Sequence, residues 1–84
     1  MVSVKYFAWV RERVGMGEEN VALPASVETA GDFIDWLAAR DDEFAFLSEQ
    51  KLVVRVAADQ QLVSLHDDIR GAAELAVFPP MTGG

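Results

Sequence analysis

The sequence predicts an α+β domain, with a mixed sheet packed on one main helix, short extra helices and a thin C-terminal arm. Three observations predict it. The chain opens with a strictly alternating strand, Val2 to Phe7. Its clearest element is an amphipathic helix beginning at Ala30. Short strand-like runs then follow to Pro79-Pro80, where proline has no N–H to give a ladder.

In the first strand Val2, Val4 and Tyr6 point one way and Ser3, Lys5 and Phe7 the other. Ala8 to Val14 reads as a short helix ended by Gly15 and Gly17. Asn20 to Leu23 reads as a short strand stopped by Pro24.

Thr29 is a good N-cap, and Asp32, three residues on, completes a capping-box-like pair. Ala30, Phe33, Ile34, Leu37 and Ala38 then fall on one apolar stripe at the i, i+3, i+4 spacing of a helix. Asp35, Trp36 and Arg40 lie off it, so Trp36 is at most partly buried. Gly31 costs this first turn about 1 kcal/mol relative to Ala. The helix ends near Ala39 or Arg40, and Phe44 and Leu47 anchor another short helical turn.

Leu52 to Ala58 reads as the second strong strand, with Val54, Val56 and Ala58 on one face. Asp59-Gln60 makes a turn, Leu62 to Ser64 returns, and Asp67 to Ala73 is irregular with Ile69 tucked inward. Glu74 to Phe78 is the last strand. A first hairpin with a helical insert, one long helix, then more strands over the same face is the ubiquitin-like β-grasp layout. In it the first and last strands are parallel neighbours and the C-terminus projects from the sheet's end. Residues 1–80 are the expected domain and residues 81–84 the flexible tail.

Composition narrows the function. With 84 residues and 51% hydrophobic content, the chain is one domain with a modest core. It shows no signal-peptide pattern and no apolar run of membrane-spanning length, so a cytoplasmic location is expected. The absence of cysteine removes thiolate nucleophiles, persulfide carriers, disulfides and Cys-ligated metals together. The single histidine, His66, sits beside Asp67 and Asp68 in a turn, and neither a metal nor a bound cofactor is expected. Asp and Glu outnumber Lys and Arg 14 to 7, giving a net charge of −7. Such a surface repels phosphate backbones and anionic membranes. It suits a basic protein surface or serves solubility alone.

No catalytic constellation is visible. Gly15-Met16-Gly17 lacks the third glycine of a dinucleotide fingerprint and runs into Glu18-Glu19. The acidic runs Glu18-Glu19 and Asp41-Asp42-Glu43 read as solvated. The remaining candidate is the end of the chain. Gly83 and Gly84 have no Cβ and can lie extended in a channel too narrow for other residues, and Gly84 carries the α-carboxylate. A carboxylate is a poor electrophile until adenylation gives it AMP as a leaving group. A sulfur donor can then displace AMP and leave a thiocarboxylate. No nucleotide-binding motif occurs, so the ATP must belong to a partner.

Lys5-Tyr6-Phe7-Ala8, then Val10-Arg11-Glu12 and Gly15, resemble the N-terminal signature of the small subunit of molybdopterin synthase. The ending Glu74-Leu75-Ala76-Val77-Phe78-Pro79-Pro80-Met81-Thr82-Gly83-Gly84 resembles that family's terminal motif. The resemblance covers essentially the whole chain and implies a β-grasp sulfur carrier. It implies that an E1-like enzyme adenylates Gly84 and that sulfur relay converts it to a thiocarboxylate. Gly83, Thr82 and Met81 would thread the large synthase subunit, where the sulfur builds the dithiolene of molybdopterin on cyclic pyranopterin monophosphate. A heterotetramer around a large-subunit dimer is implied.

Pro79-Pro80 would stiffen the base of the tail. Phe78 and Phe7 serve either as core or as an apolar docking patch, and Arg11 either pairs with a partner carboxylate or is solvated. The sequence departs from the family at Gly71-Ala72-Ala73-Glu74, where an acidic turn is expected, and at Val77 and Met81. The alternatives are a carrier for thiamine or cysteine synthesis, a ubiquitin-like modifier conjugated through Gly84, and an interaction module with an inert tail.

Overall fold

The computed structural model describes residues 1–80. Five strands form one sheet: β1 (Val2–Tyr6), β2 (Glu18–Val21), β3 (Arg55–Ala58), β4 (Gln61–Val63) and β5 (Glu74–Phe78). Their spatial order is β2-β1-β5-β3-β4. β1 and β5 are parallel at the centre, with Tyr6 level with Val77, and the other pairs are antiparallel. Helices α1 (Ala8–Val14), α2 (Ala30–Ala38) and α3 (Phe46–Glu49), with a 3-10 turn at Asp42–Phe44, complete the ubiquitin-like β-grasp. No helix among the described residues is long and apolar enough to cross a membrane.

The core lies between one sheet face and α2. Val4, Tyr6, Leu75, Val77 and Val56 contribute from the strands, and Ala30, Phe33, Ile34 and Leu37 from the helix. Burying such side chains contributes about 1.5–3 kcal/mol each. The N-terminus of α2 is closed by the reciprocal pair foreseen: the Asp32 N–H donates to Thr29 Oγ1 at 3.1 Å and the Thr29 N–H to Asp32 Oδ2 at 3.2 Å. Gly31 has a reason that its sequence context hides. Its N–H donates to the Leu65 carbonyl at 2.9 Å. A Cβ at this position would lie 3.1 Å from that same oxygen.

Three strand boundaries differ from expectation. β2 spans Glu18–Val21 rather than Asn20 to Leu23, because its ladder with β1 begins at Lys5 opposite Glu18. β3 begins only at Arg55. The preceding residues form a turn in which the Val53 and Val54 N–H groups both donate to the Gln50 carbonyl at 2.9 Å, leaving Leu52 81% exposed. β4 spans Gln61–Val63, since the two-residue turn Asp59-Gln60 sets Gln61 directly against Ala58.

Glu19 corrects the reading of a solvated acidic pair. It pairs with Val4 and so faces the core side of β2. There it accepts from the Tyr6 hydroxyl at 2.6 Å and from two Arg40 nitrogens at 2.7 and 3.0 Å. Arg40 also stacks on Trp36 and Phe44, at 5.2 and 4.9 Å from the ring centres. The Arg40 guanidinium, helped by the Tyr6 hydroxyl, holds the Glu19 carboxyl below the usual carboxylate range, against the opposing push of partial burial. Burial first, and then the bond to Glu19, pushes the Tyr6 phenol up.

Candidate functional site

The site is the end of the sheet from which the chain leaves β5. Alternation along the strands sorts their side chains onto two faces. Leu75 and Val77 join the core. Glu74, Ala76 and Phe78 face the other way: Glu74 is level with Ser3, Ala76 with Lys5 and Ala57, and Phe78 with Arg55. Leu62 of β4 pairs with Ala57 and extends this open face to the edge, where it is 67% exposed. Lys5 and Glu74 close an ion pair of 3.1 Å across it. The bond to Glu74 raises the ammonium's proton affinity.

Phe7 belongs to this face. Its N–H donates to the Val77 carbonyl at 3.1 Å, which continues the parallel β1–β5 ladder one residue past β1. The chain then turns sharply into α1 through Ala8, whose φ is +54°. That left-handed conformation costs a residue with a Cβ about 1–2 kcal/mol. The turn leaves Phe7 outside the core and 47% exposed. Phe78, Pro79 and Pro80 are each half-buried. Phe7 is therefore a surface residue, and Phe78 is shared between the surface and the sheet.

Arg11 is exposed one helical turn after Phe7. Its guanidinium lies against Gly17, where a Cβ would approach Arg11 Cζ to 3.1 Å. The residue types and strand parity bring Phe7, Phe78, Pro79 and Pro80 to one end of the sheet. His66 is exposed in the turn between β4 and the Asp68 bridge. Met81, Thr82, Gly83 and Gly84, the residues expected to thread a partner and carry the reaction, lie outside the described residues.

Arg55 and Leu62 also belong to this face, and no sequence motif marks them. Placing β3 from Leu52 gave no reason to separate Arg55 from its neighbours, yet the inward parity of Val54 and Val56 already puts it on the opposite face. Strand content alone does not direct Leu62; its outward direction follows from the turn register at Asp59-Gln60.

The ThiS family profile matches residues 4–84 and thus runs past β5 to the last residue. The chain belongs to the ThiS family. Among its relatives is the molybdopterin synthase sulfur carrier subunit of Escherichia coli (strain K12), 39% identical over 100% of both chains. The putative molybdopterin converting factor, subunit 1, from Pyrococcus furiosus has the same fold, with a TM-score of 0.67, 25% identity, and coverage of 95% of this chain and 97% of that one. SAMP1 from Haloferax volcanii superposes with a TM-score of 0.69 at 24% identity, covering 99% of this chain and 98% of that one, a likeness of fold. The resemblance to the molybdopterin synthase small subunit carried by the two ends of this ThiS-family chain holds along its length.

Proposed function

We propose that this chain is the sulfur carrier subunit of molybdopterin synthase and that the Gly84 carboxylate is its reactive group. One observation carries the reading: the family match continues through Gly84, beyond the last strand and the two prolines that end it. The carboxylate attacks the α-phosphate of ATP in the site of an E1-like activating partner. Pyrophosphate leaves, and an acyl-adenylate forms. A sulfur nucleophile then adds to the acyl carbon and expels AMP; with a persulfide donor, a second thiol of the donor system attacks the resulting acyl disulfide, becomes part of a disulfide and frees the thiocarboxylate. This chain supplies neither the nucleotide site nor the sulfur donor.

The loaded tail would enter the large subunit, where its sulfur attacks cyclic pyranopterin monophosphate. Hydrolysis of the resulting acyl linkage returns Gly84 to a carboxylate and leaves sulfur on the product. Two loaded copies would furnish the two sulfurs of the dithiolene within a heterotetramer. The open sheet face supports this reading. It provides Phe7 and Phe78 as apolar contacts beside a stiff Pro79-Pro80 base, so docking and threading can proceed together.

Intact mass spectrometry tests the chemistry. After incubation with the activating enzyme, ATP and a sulfur donor, the full chain should gain the mass of one oxygen-to-sulfur exchange, located on the C-terminal peptide. No exchange under conditions that load a known carrier would overturn the proposal. Capture of a thiazole synthase instead of the large subunit would assign the carrier to another pathway. Gly84-dependent conjugates on lysines would make it a modifier.

A further inference from the structure

The distribution of charge singles out one side chain of the open face. Lys5 pairs with Glu74 at 3.1 Å, Arg40 with Glu19 at 2.7 Å, Lys51 with Asp35 at 2.9 Å and Arg70 with Asp68 at 2.6 Å. Among the described residues Arg11, Arg13 and Arg55 form no such pair. Arg13 lies over the Phe46 ring, 4.6 Å from its centre, and the Arg11 guanidinium lies against Gly17. Arg55 alone among them stands on the sheet, directly opposite Phe78 in the β3–β5 register.

The Arg55 guanidinium is held from one side only. Its Nη1 donates to the carbonyls of Leu52, Val53 and Val54 at 3.3, 3.0 and 3.4 Å. Among the described residues Nε and Nη2 make no hydrogen bond. Anchoring at Nη1 removes much of the rotamer freedom that an exposed arginine would otherwise lose on binding. The two remaining nitrogens form the edge that grips a carboxylate in two parallel bonds. A groove of about 400 Å³ runs beside Arg55, with Leu52, Val54 and Leu62 among its walls. Its wall is mostly apolar beside Arg55 and also carries Lys51, whose ammonium is paired with Asp35.

We infer that Arg55 is a recognition residue that takes a carboxylate of the large-subunit partner, beside Phe78 and the base of the tail. The inference rests on the proposed function and deepens it. Charge complementarity argues for this occupant. On a chain of net charge −7, Arg55 is a cation of this face that no carboxylate among the described residues pairs, and such a cation marks where a partner presents an acid. The large subunit would therefore meet this face with a carboxylate among apolar contacts, even where the rest of its surface is basic.

Calorimetric titration of the full chain into the large subunit, at low and physiological salt, tests this, with the melting temperature of each free variant measured alongside. R55Q should weaken binding about tenfold or more. R55K, which keeps the charge but loses the fork, should fall between it and the parent. The parent complex should also lose more affinity with salt than R55Q does. Unchanged affinity for R55Q and R55K, with only a lower melting temperature, would reduce Arg55 to a cap on the Leu52–Val54 carbonyls and overturn the inference. Failure of the parent chain itself to bind would overturn the proposed function, whereas parent binding that ignores position 55 would overturn this inference alone.

Discussion

The Phe7 N–H donates to the Val77 carbonyl at 3.1 Å, locking the entrance of α1 to the strand that leads into the tail. One backbone bond thereby fixes an exposed aromatic next to the Arg55–Phe78 pair that ends the β3–β5 ladder. The aromatic surface and the end of β5 are thus joined directly through the backbone.

Phe7→Ala and Phe78→Ala should separate binding from stability. Phe7 is 47% exposed, so its loss should change the unfolding free energy by under about 1 kcal/mol. Phe78 is half-buried, so truncation should cost about 1–2 kcal/mol. Both should weaken the complex with the large subunit by about tenfold or more. Denaturant unfolding and calorimetric titration check the two effects separately.

Gly83→Val should leave the fold untouched, since it lies beyond β5 and the prolines that follow it. If the tail threads a partner as proposed, a β-branched side chain there would obstruct the narrow path that glycine allows. The melting temperature should match the parent, while thiocarboxylate formation or sulfur delivery should fall by orders of magnitude. Mass spectrometry of loading and single-turnover transfer identify which step fails.

The Glu19 network predicts an acid-dependent stability. Its carboxyl is held below the ordinary value of 4.5, chiefly by Arg40. The folded state thus binds its proton less readily than the unfolded chain. The resulting stability is fully present above the unfolded value and is lost as pH falls through the lower folded value. Glu19→Gln should cost about 1–2 kcal/mol at neutral pH and flatten the decline below pH 4.5. Urea melts between neutral and acid pH measure both.

The β3–β4 turn should respond oppositely at its two residues. Gln60 has φ +70°, so Gln60→Gly should stabilise by up to about 1 kcal/mol. Asp59 has φ +49°, but its Oδ1 accepts from the Ala73 and Glu74 N–H groups at 3.0 Å each. Asp59→Ala should destabilise by about 1–3 kcal/mol by stripping two partners from the start of β5. Thermal melts of the two variants should shift in opposite directions.

Local signals were legible wherever one residue type sufficed to set the backbone. α1 runs from Ala8 to Val14 as its apolar spacing and Gly15 indicate, with Gly15 at φ +85°. β5 spans Glu74–Phe78 because proline stops it. The Thr29–Asp32 box lies within four residues and needs nothing distant. β2 and β3 were harder to bound, since a strand's limits belong to its partner as much as to itself. Glu18 becomes strand only by lying against Lys5, and Leu52 looks like strand until the Gln50 carbonyl gathers the following N–H groups.

The sequence by itself determined the fold class and the family resemblance, through its element order, a proline-stopped last strand and the Pro79-Pro80-Met81-Thr82-Gly83-Gly84 motif. It also determined most of the core, because burial follows from periodicity within each element. The tertiary structure alone decided that Glu19 is gripped by Tyr6 and Arg40 rather than solvated. It also decided that Phe7 lies outside the core and that Arg55 stands opposite Phe78. Those outcomes depend on the pairing of residues between 13 and 70 positions apart, which no local pattern encodes. They arise from register, and register is set only when the whole sheet closes over its helix.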